Sequence, residues 1–293
     1  MKAAAFNYAR AASVEEAVAL LVRNGERAKL LAGGQSLLPA LNLRLMSLDL
    51  VVDITGIAAL RGIRVEGGSV RIGALTRHAD LLTSREIADH APLLAMAVAH
   101  VAHPAIRNRG TIGGNLAHAD PASELPACMQ ALGADLVLQG PTGERRVGAA
   151  DFFMGLYQTA LAEGEMLVAV EFPAIQRGER AFFHEFARRR GDYAIIGLAA
   201  QAKVAGDRIE ALRLAYFGVG DRATPCPAAA RLLLQPFAPA SLAEAQAALA
   251  QDLQPQSDHQ ASAAMRLHLA RVLLARCVQQ LLGRSAVPEE ASA

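Results

Sequence analysis

With 293 residues, 53% of them hydrophobic and 19% charged, the chain has ample material for a sizeable core, which excludes a disordered polypeptide and makes two domains, or one domain with an appendage, the first expectation. A formal net charge of +1 and an aromatic content of 4%, without Trp, supply neither the field nor the stacking rings of a nucleic-acid platform. Cys128, Cys226 and Cys277 stand far apart and outside any CxxC spacing, so they make no zinc or iron–sulfur ligand set and read as buried reduced thiols.

The N-terminal MKAAAFNYARAAS lacks the continuous apolar segment of a signal peptide, and no later run approaches a membrane span, so the expected location is the cytoplasm. Ser13-Val14-Glu15-Glu16 is a capping box, and Val14, Ala17, Val18 and Leu21 share one helical face until Gly25 stops it. A short apolar run, Lys29 to Ala32, leads into Gly33-Gly34, and a helix is predicted from Ser36 with Pro39 in its first turn. Leu50 to Ile54 reads as a buried strand, so the first glycine pair lies at a strand-to-helix turn. Two alternating strands flank Gly67-Gly68, a hairpin pattern. A helix follows from about Pro92 to Val101, and Pro104 forces the chain out of it. Beyond the second pair, Gly113-Gly114, Glu124 to Leu132 is predicted helical, DLVLQGPTGERRV is a second hairpin, and EMLVAVEFP is a strand ending at Pro173.

The polar, turn-rich PAIQRGERA is the best boundary. It divides a first domain, 1–175, with subdomains of about 1–56 and 57–175, from a second, 176–285, and leaves 286–293 as a frayed tail. FFHEFA, AIIGLAAQAKVAG and RIEALRLAYFG read as a three-stranded antiparallel meander, followed by Ala- and Leu-rich helices over 241–253 and 261–282.

No HExxH, GxSxG, GxxxxGK[ST] or CxxC occurs, which removes most hydrolase and redox-thiol chemistries. GVGDRA, at Gly218 to Ala223, is followed by Pro225 and Pro227 where a phosphate-capping helix would begin, so it is a loop and not a Rossmann turn. The two glycine pairs offer another route to an anion: glycine turns present backbone N–H groups without a Cβ to hold a ligand off, and Ser36 and Thr111 add hydroxyls beside them. Either pair alone is an ordinary tight turn. Together they suggest a cradle for a dinucleotide, which spacing alone does not name.

AGGQSLLPALNLRL and RNRGTIGGNLAHADPASELPA resemble the paired FAD signatures, AGGHS or AGGQS with TIGGN or TIGGS, of the flavoprotein medium subunits of molybdenum hydroxylases. RRRGDYAII around Tyr193 adds to the resemblance, which spans nearly the whole chain. It implies an α+β fold: an FAD domain of the vanillyl-alcohol-oxidase (PCMH) type in two subdomains, then a three-stranded antiparallel sheet with a helical bundle. It assigns Ala32, Gly33, Gly34, Gln35, Ser36 and Leu37 to one side of the FAD pyrophosphate, and Thr111, Ile112, Gly113, Gly114 and Asn115 to the other. Glu124 matches a contact to the adenosine ribose, Met166 and Leu167 line the adenine end, and Tyr193 screens one face of the flavin ring. Each also has a plainer role: Glu124 as a helix N-terminal acid, Met166 and Leu167 as strand residues, Tyr193 as a core aromatic. Gln35, where carbon monoxide dehydrogenase-like members often carry His, and Asn108-Arg109, a combination of heterocycle- or xanthine-type members, weaken a carbon monoxide assignment. His118 reads as structural or solvated, and Arg188, Arg189 and Arg190 as a wet surface or a docking contact.

The function implied is electron transfer through non-covalent FAD in a heterotrimeric hydroxylase. Molybdopterin lies on a large partner, two 2Fe–2S clusters on a small one, and a terminal acceptor receives the electrons, the whole being a dimer of heterotrimers. No acid–base catalyst is expected on this chain. The alternatives are a self-contained flavin oxidase, for which the C-terminal part is small, and a non-catalytic nucleotide-binding protein.

Overall fold

The structure is a computed structural model that describes residues 2–234 and 237–283; the tail expected over 286–293 lies outside them. Its first lobe holds a parallel sheet in the spatial order Asn7–Arg10, Leu50–Asp53, Ala28–Leu31. All four residues of the central strand are buried, as an unalternating apolar run requires when both faces of a parallel strand are covered. The helix Val14–Asn24 turns Ala17, Val18 and Leu21 inward. Ser13 Oγ caps it by accepting from the Glu16 amide at 3.2 Å, and the Glu16 carboxylate accepts from the Ala12 amide at 2.7 Å, one residue before the expected partner.

The second lobe is a five-stranded antiparallel sheet in the order Ile63–Glu66, Ser69–Gly73, Met166–Pro173, Asp135–Gly140, Gly143–Gly148. Both hairpins fall where their glycines predict them, and Met166–Pro173 closes the sheet by pairing between them. Helices Pro92–Val98, Ile112–His118 and Glu124–Leu132 contribute Leu93, Leu94, Leu116 and Leu125 to its core.

Glu179–Phe186, Ile196–Ala205 and Arg208–Phe217 form the expected meander, and a two-residue strand, Thr224–Pro225, adds to its edge. Seven consecutive residues from Ile196 are buried because the sheet is covered on both faces. Phe183, Ala199, Ala215 and Phe217 join the core of the second lobe. Leu198, Ala200, Leu214 and Tyr216 pack instead with helices Pro227–Leu232, Pro239–Asp252 and Ala263–Leu281, where the buried Tyr216 hydroxyl donates to the Ala270 carbonyl at 2.8 Å. The polar stretch around Gly178 therefore separates two segments in sequence, while apolar packing runs across it.

Three local expectations change. The helix from Pro92 ends at Val98 rather than Val101; Ala102 has φ 43°, and the Arg107 guanidinium donates to the carbonyls of Val101 and Ala102 at 2.8 and 2.9 Å, closing the turn. Pro104 opens a short helix, Pro104–Arg107, as its first residue, where a missing N–H costs nothing. Helices Ile112–His118 and Pro227–Leu232 are additional: a Gly-Gly in the first turn lowers helix propensity for one, and the other is too short for a periodic pattern. No described helix is long and apolar enough to cross a membrane.

Candidate functional site

The first glycine pair leaves the strand Ala28–Leu31 and enters the helix Leu37–Asn42. Gly34 has φ 73°, a left-handed conformation that favours glycine. That reversal leaves the amides of Gly33, Gly34, Gln35, Ser36 and Leu37 without an acceptor among the described residues, although the turn is largely half-buried. Gln35 Nε2 donates to the Gly33 carbonyl at 3.0 Å, which holds the turn closed. The Ser36 hydroxyl caps nothing, and Leu37 packs beside Leu41 and Val51.

The second pair sits inside a helix, not in an open loop. Thr111 is the N-cap of Ile112–His118, its Oγ1 accepting from the Gly114 amide at 3.1 Å. The amides of Ile112, Gly113 and Asn115 donate to the carbonyls of Thr76, Ala74 and Thr111 at 3.0, 2.9 and 3.0 Å. Backbone donors were expected here as well; this turn has already committed them to the protein. Thr111 keeps its hydroxyl proton, because accepting one bond leaves the O–H free to donate. The Asn115 side chain is hydrogen-bonded to the Ser123 hydroxyl at 2.7 Å, and Ile112 is fully buried.

The fold brings the two turns into contact. A Cβ on Gly33 would overlap the Arg109 carbonyl and lie 2.8 Å from Gly110 Cα, and one on Gly114 would face Ala32 Cβ at 3.7 Å. A Cβ on Gly113 would overlap Ala74, so this glycine serves close packing against the turn that follows the strand Ser69–Gly73. Beside the contact lies a cavity of about 290 Å³ between the first two lobes, with Ala32, Gly33 and Thr55 on one wall and Leu75, Asn108 and Thr111 on the other. Arg61, Arg77 and Arg109 complete its lining. Thr55, Arg61 and Arg77 escape a sequence reading, since only folding brings them beside the motifs.

A second region lies where the second lobe meets the C-terminal sheet. A cavity of about 470 Å³ is lined there by Asp120, Tyr157, Tyr193, Gly218 and Arg266, among others. Tyr193 is 63% exposed and precedes the strand Ile196–Ala205 rather than starting it. Partial burial, and then the Asp120 carboxylate, push its phenol up to about 12. His118 and Tyr157 stack with ring centroids 4.9 Å apart. Glu124, 8% exposed, is pushed up to about 8 by burial, with the charges of Glu185 and Asp120 adding to it, so it is largely protonated at neutral pH. Its charge also reaches Tyr193.

Met166 and Leu167 stay away from both cavities as side chains: they are 1% and 5% exposed and lie in the apolar clusters that meet along their strand. The same strand supports the second turn through Val168, whose carbonyl accepts from the Ala74 amide at 2.9 Å. GVGDRA is a loop, as expected, and Arg188 of the arginine run donates to the His259 carbonyl at 2.9 Å. The three cysteines are buried and free. Five unspent N–H groups on a glycine turn, whose Gly33 lines the cleft opposite Thr111, suit an anion with several acceptor oxygens, as in a diphosphate.

Comparison with known proteins accounts for nearly all of the chain. Residues 4–175 match the FAD binding domain in molybdopterin dehydrogenase, and residues 181–281 the CO dehydrogenase flavoprotein C-terminal domain. The chain is 39% identical over 292 residues to the 6-hydroxypseudooxynicotine dehydrogenase complex subunit alpha of Paenarthrobacter nicotinovorans, covering 99% of each. Among solved structures, carbon monoxide dehydrogenase from Hydrogenophaga pseudoflava superposes with a TM-score of 0.94 at 39% identity, over 98% of this chain and 100% of that one. Quinoline 2-oxidoreductase from Pseudomonas putida 86 follows with a TM-score of 0.90 at 38% identity, over 97% and 99%. The chain belongs to the FAD-binding medium subunits of the molybdenum hydroxylases, oxidoreductases assembled from several kinds of subunit.

Proposed function

We propose that the chain holds one FAD non-covalently between its two glycine turns and is the electron-exit subunit of a heterotrimeric molybdenum hydroxylase. A large subunit with molybdopterin hydroxylates the substrate, a small subunit with two 2Fe–2S clusters feeds electrons to this chain, and a terminal acceptor collects them. The assembly is a dimer of heterotrimers in the cytoplasm. The division into 1–175, with subdomains 1–56 and 57–175, and 176–285 is part of the same reading.

The observation that carries it is the run of free amides from Gly33 to Leu37. Five N–H groups of one half-buried turn have no protein acceptor among the described residues, and the FAD pyrophosphate has the chemistry to take them. Ala32 to Leu37 then supply the donors, with Ser36 adding its hydroxyl. Thr111 donates from the opposite wall, Gly114 leaves the approach open, and Ile112, Gly113 and Asn115 fix the turn that carries them. Met166 and Leu167, buried in the strand behind the second turn, back the adenine end from the core. Tyr193 covers the flavin ring, and Glu124 serves the adenosine ribose. When bound, FAD accepts single electrons and passes on one or two.

Denaturing the purified chain tests the reading. Release of free FAD is expected; flavin left on the denatured protein points to a covalent oxidase, and absence of flavin overturns the assignment. The isolated chain is also expected to take electrons from dithionite under anaerobic conditions while oxidising no alcohol or phenol, with turnover appearing only in the assembled complex.

A further inference from the structure

We infer that Arg61, Arg77 and Arg109 form a cationic clamp for the phosphates of the flavin dinucleotide. The inference rests on the FAD reading above and deepens it, assigning phosphate recognition to Arg109 at the edge of the second signature and to Arg61 and Arg77, which lie outside both.

The three arginines line the cavity of about 290 Å³ between the first two lobes, with Thr55, Asn108 and Thr111 as the other polar walls and no acidic residue in the lining. All three arginines are exposed, and among the described residues none is in an ion pair. Three cations lining one cleft without a counter-charge repel one another, and an anion in the cleft relieves that repulsion.

Each arginine is tied to a feature of the cleft. Arg61 donates to the Thr55 carbonyl at 2.8 Å, anchoring its guanidinium on the cavity wall. Arg77 pairs with Thr111 through an isolated antiparallel bridge, which sets it beside the N-cap hydroxyl. Arg109 presses its carbonyl against Gly33, where no Cβ fits. The backbones of Arg77 and Arg109 and the guanidinium of Arg61 are thereby fixed around one cleft, with Arg109 against the turn that presents the free amides. A guanidinium offers a planar fork that matches two phosphate oxygens at once, so the arginines suit the oxygens that five amides on one side leave uncovered.

The test titrates flavin-free protein and the triple variant R61Q/R77Q/R109Q with FAD and with riboflavin, which carries no phosphate, at low and high salt, following flavin fluorescence. The variant is expected to lose roughly a hundredfold in FAD affinity, to keep its riboflavin affinity, and to show a flatter salt response, because the lost contacts are charge-assisted. Lysines at the three positions should restore the salt response and part of the affinity. Unchanged FAD affinity and salt response in the triple variant would overturn the clamp, and so would an equal loss for riboflavin. If the wild-type chain takes up no FAD, the FAD reading itself fails, and inorganic pyrophosphate alone decides the arginines. A rise in melting temperature present in the wild type and absent in the variant upholds the clamp; no rise in the wild type overturns it.

Discussion

Gly33-Gly34 and Gly113-Gly114 both stand beside a hydroxyl residue, yet the first turn leaves five consecutive amides unspent while the second spends every amide from Ile112 to Asn115. In the first, a positive φ at Gly34 bends the chain before a short helix. In the second, the glycines let a capped helix come down on Ala74, and the segment runs on to the buried Glu124. One side of the site is thus built as a donor surface and the other as a fixed wall. Substitutions in 32–37 should act mainly on flavin, and those in 111–124 mainly on the fold.

The largest effect on the fold side of that division is expected at Glu124. Its carboxyl is raised from 4.5 to about 8 in the folded chain, so the unfolded state loses this proton first. The stability tied to the protonated form is complete below about pH 4.3 and drains away as pH rises towards 8. In the flavin-free protein, Glu124→Gln should therefore be neutral near pH 4 and stabilising by on the order of a few kcal/mol near pH 8. Urea denaturation at both pH values reads this directly, and parallel curves would put the carboxylate in contact with solvent. Gly113→Ala acts in the opposite direction. Its Cβ would overlap Ala74 Cβ and sit 2.7 Å from the Ala74 carbonyl oxygen, so overpacking of about 1–3 kcal/mol should appear with or without FAD. A melting temperature unchanged from wild type would mean that the turn at Ala74 gives way and that the wall is not fixed.

This asymmetry explains what a linear reading could reach. The capping box at Ser13, the Gly67-Gly68 hairpin and the meander from Glu179 to Phe217 are legible because their periods and turn residues are local. The glycine pairs are legible as sites, but their division of labour depends on Thr76 and Ala74, which accept the second turn's amides from far along the chain. Arg61 and Arg77 carry no local mark, and the proximity of Glu124 to Tyr193 arises only when the helix Glu124–Leu132 packs under the C-terminal sheet. Helix Ile112–His118 is hidden for a related reason: its glycines argue against a helix, while its cap and the bonds to Ala74 and Thr76 stabilise one.

Gly34→Ala tests the donor side. A non-glycine residue at φ 73° costs about 1–2 kcal/mol, and the new Cβ would lie 3.0 Å from Leu38 Cδ1, the end of a flexible side chain. The turn is expected to relax towards negative φ and scatter its amides, so FAD affinity should fall about tenfold or more, following the strain at roughly 1.4 kcal/mol per factor of ten. Calorimetric titration with FAD, beside melting of the flavin-free protein, separates the two effects. A loss of stability without a loss of affinity would move the donors elsewhere.

The smallest effects make the sharpest test, because they come from two hydroxyls that look equivalent in sequence. Thr111 is 6% exposed and its Oγ1 accepts the Gly114 amide, so Thr111→Val strands that amide and should cost about 1 kcal/mol in the flavin-free protein. Ser36 is exposed and its hydroxyl caps nothing, so Ser36→Ala should leave flavin-free stability within about 0.5 kcal/mol. Under FAD the order should reverse for Ser36: a hydroxyl donated to a phosphate oxygen is worth about 0.5–1.5 kcal/mol, a several-fold drop in affinity that appears only with the ligand. Thr111→Ser keeps the cap and the hydroxyl, and should match wild type in both measurements. If Ser36→Ala weakens the flavin-free fold as much as Thr111→Val does, or if neither changes FAD affinity, the two turns do the same work and the contrast between donor surface and fixed wall fails.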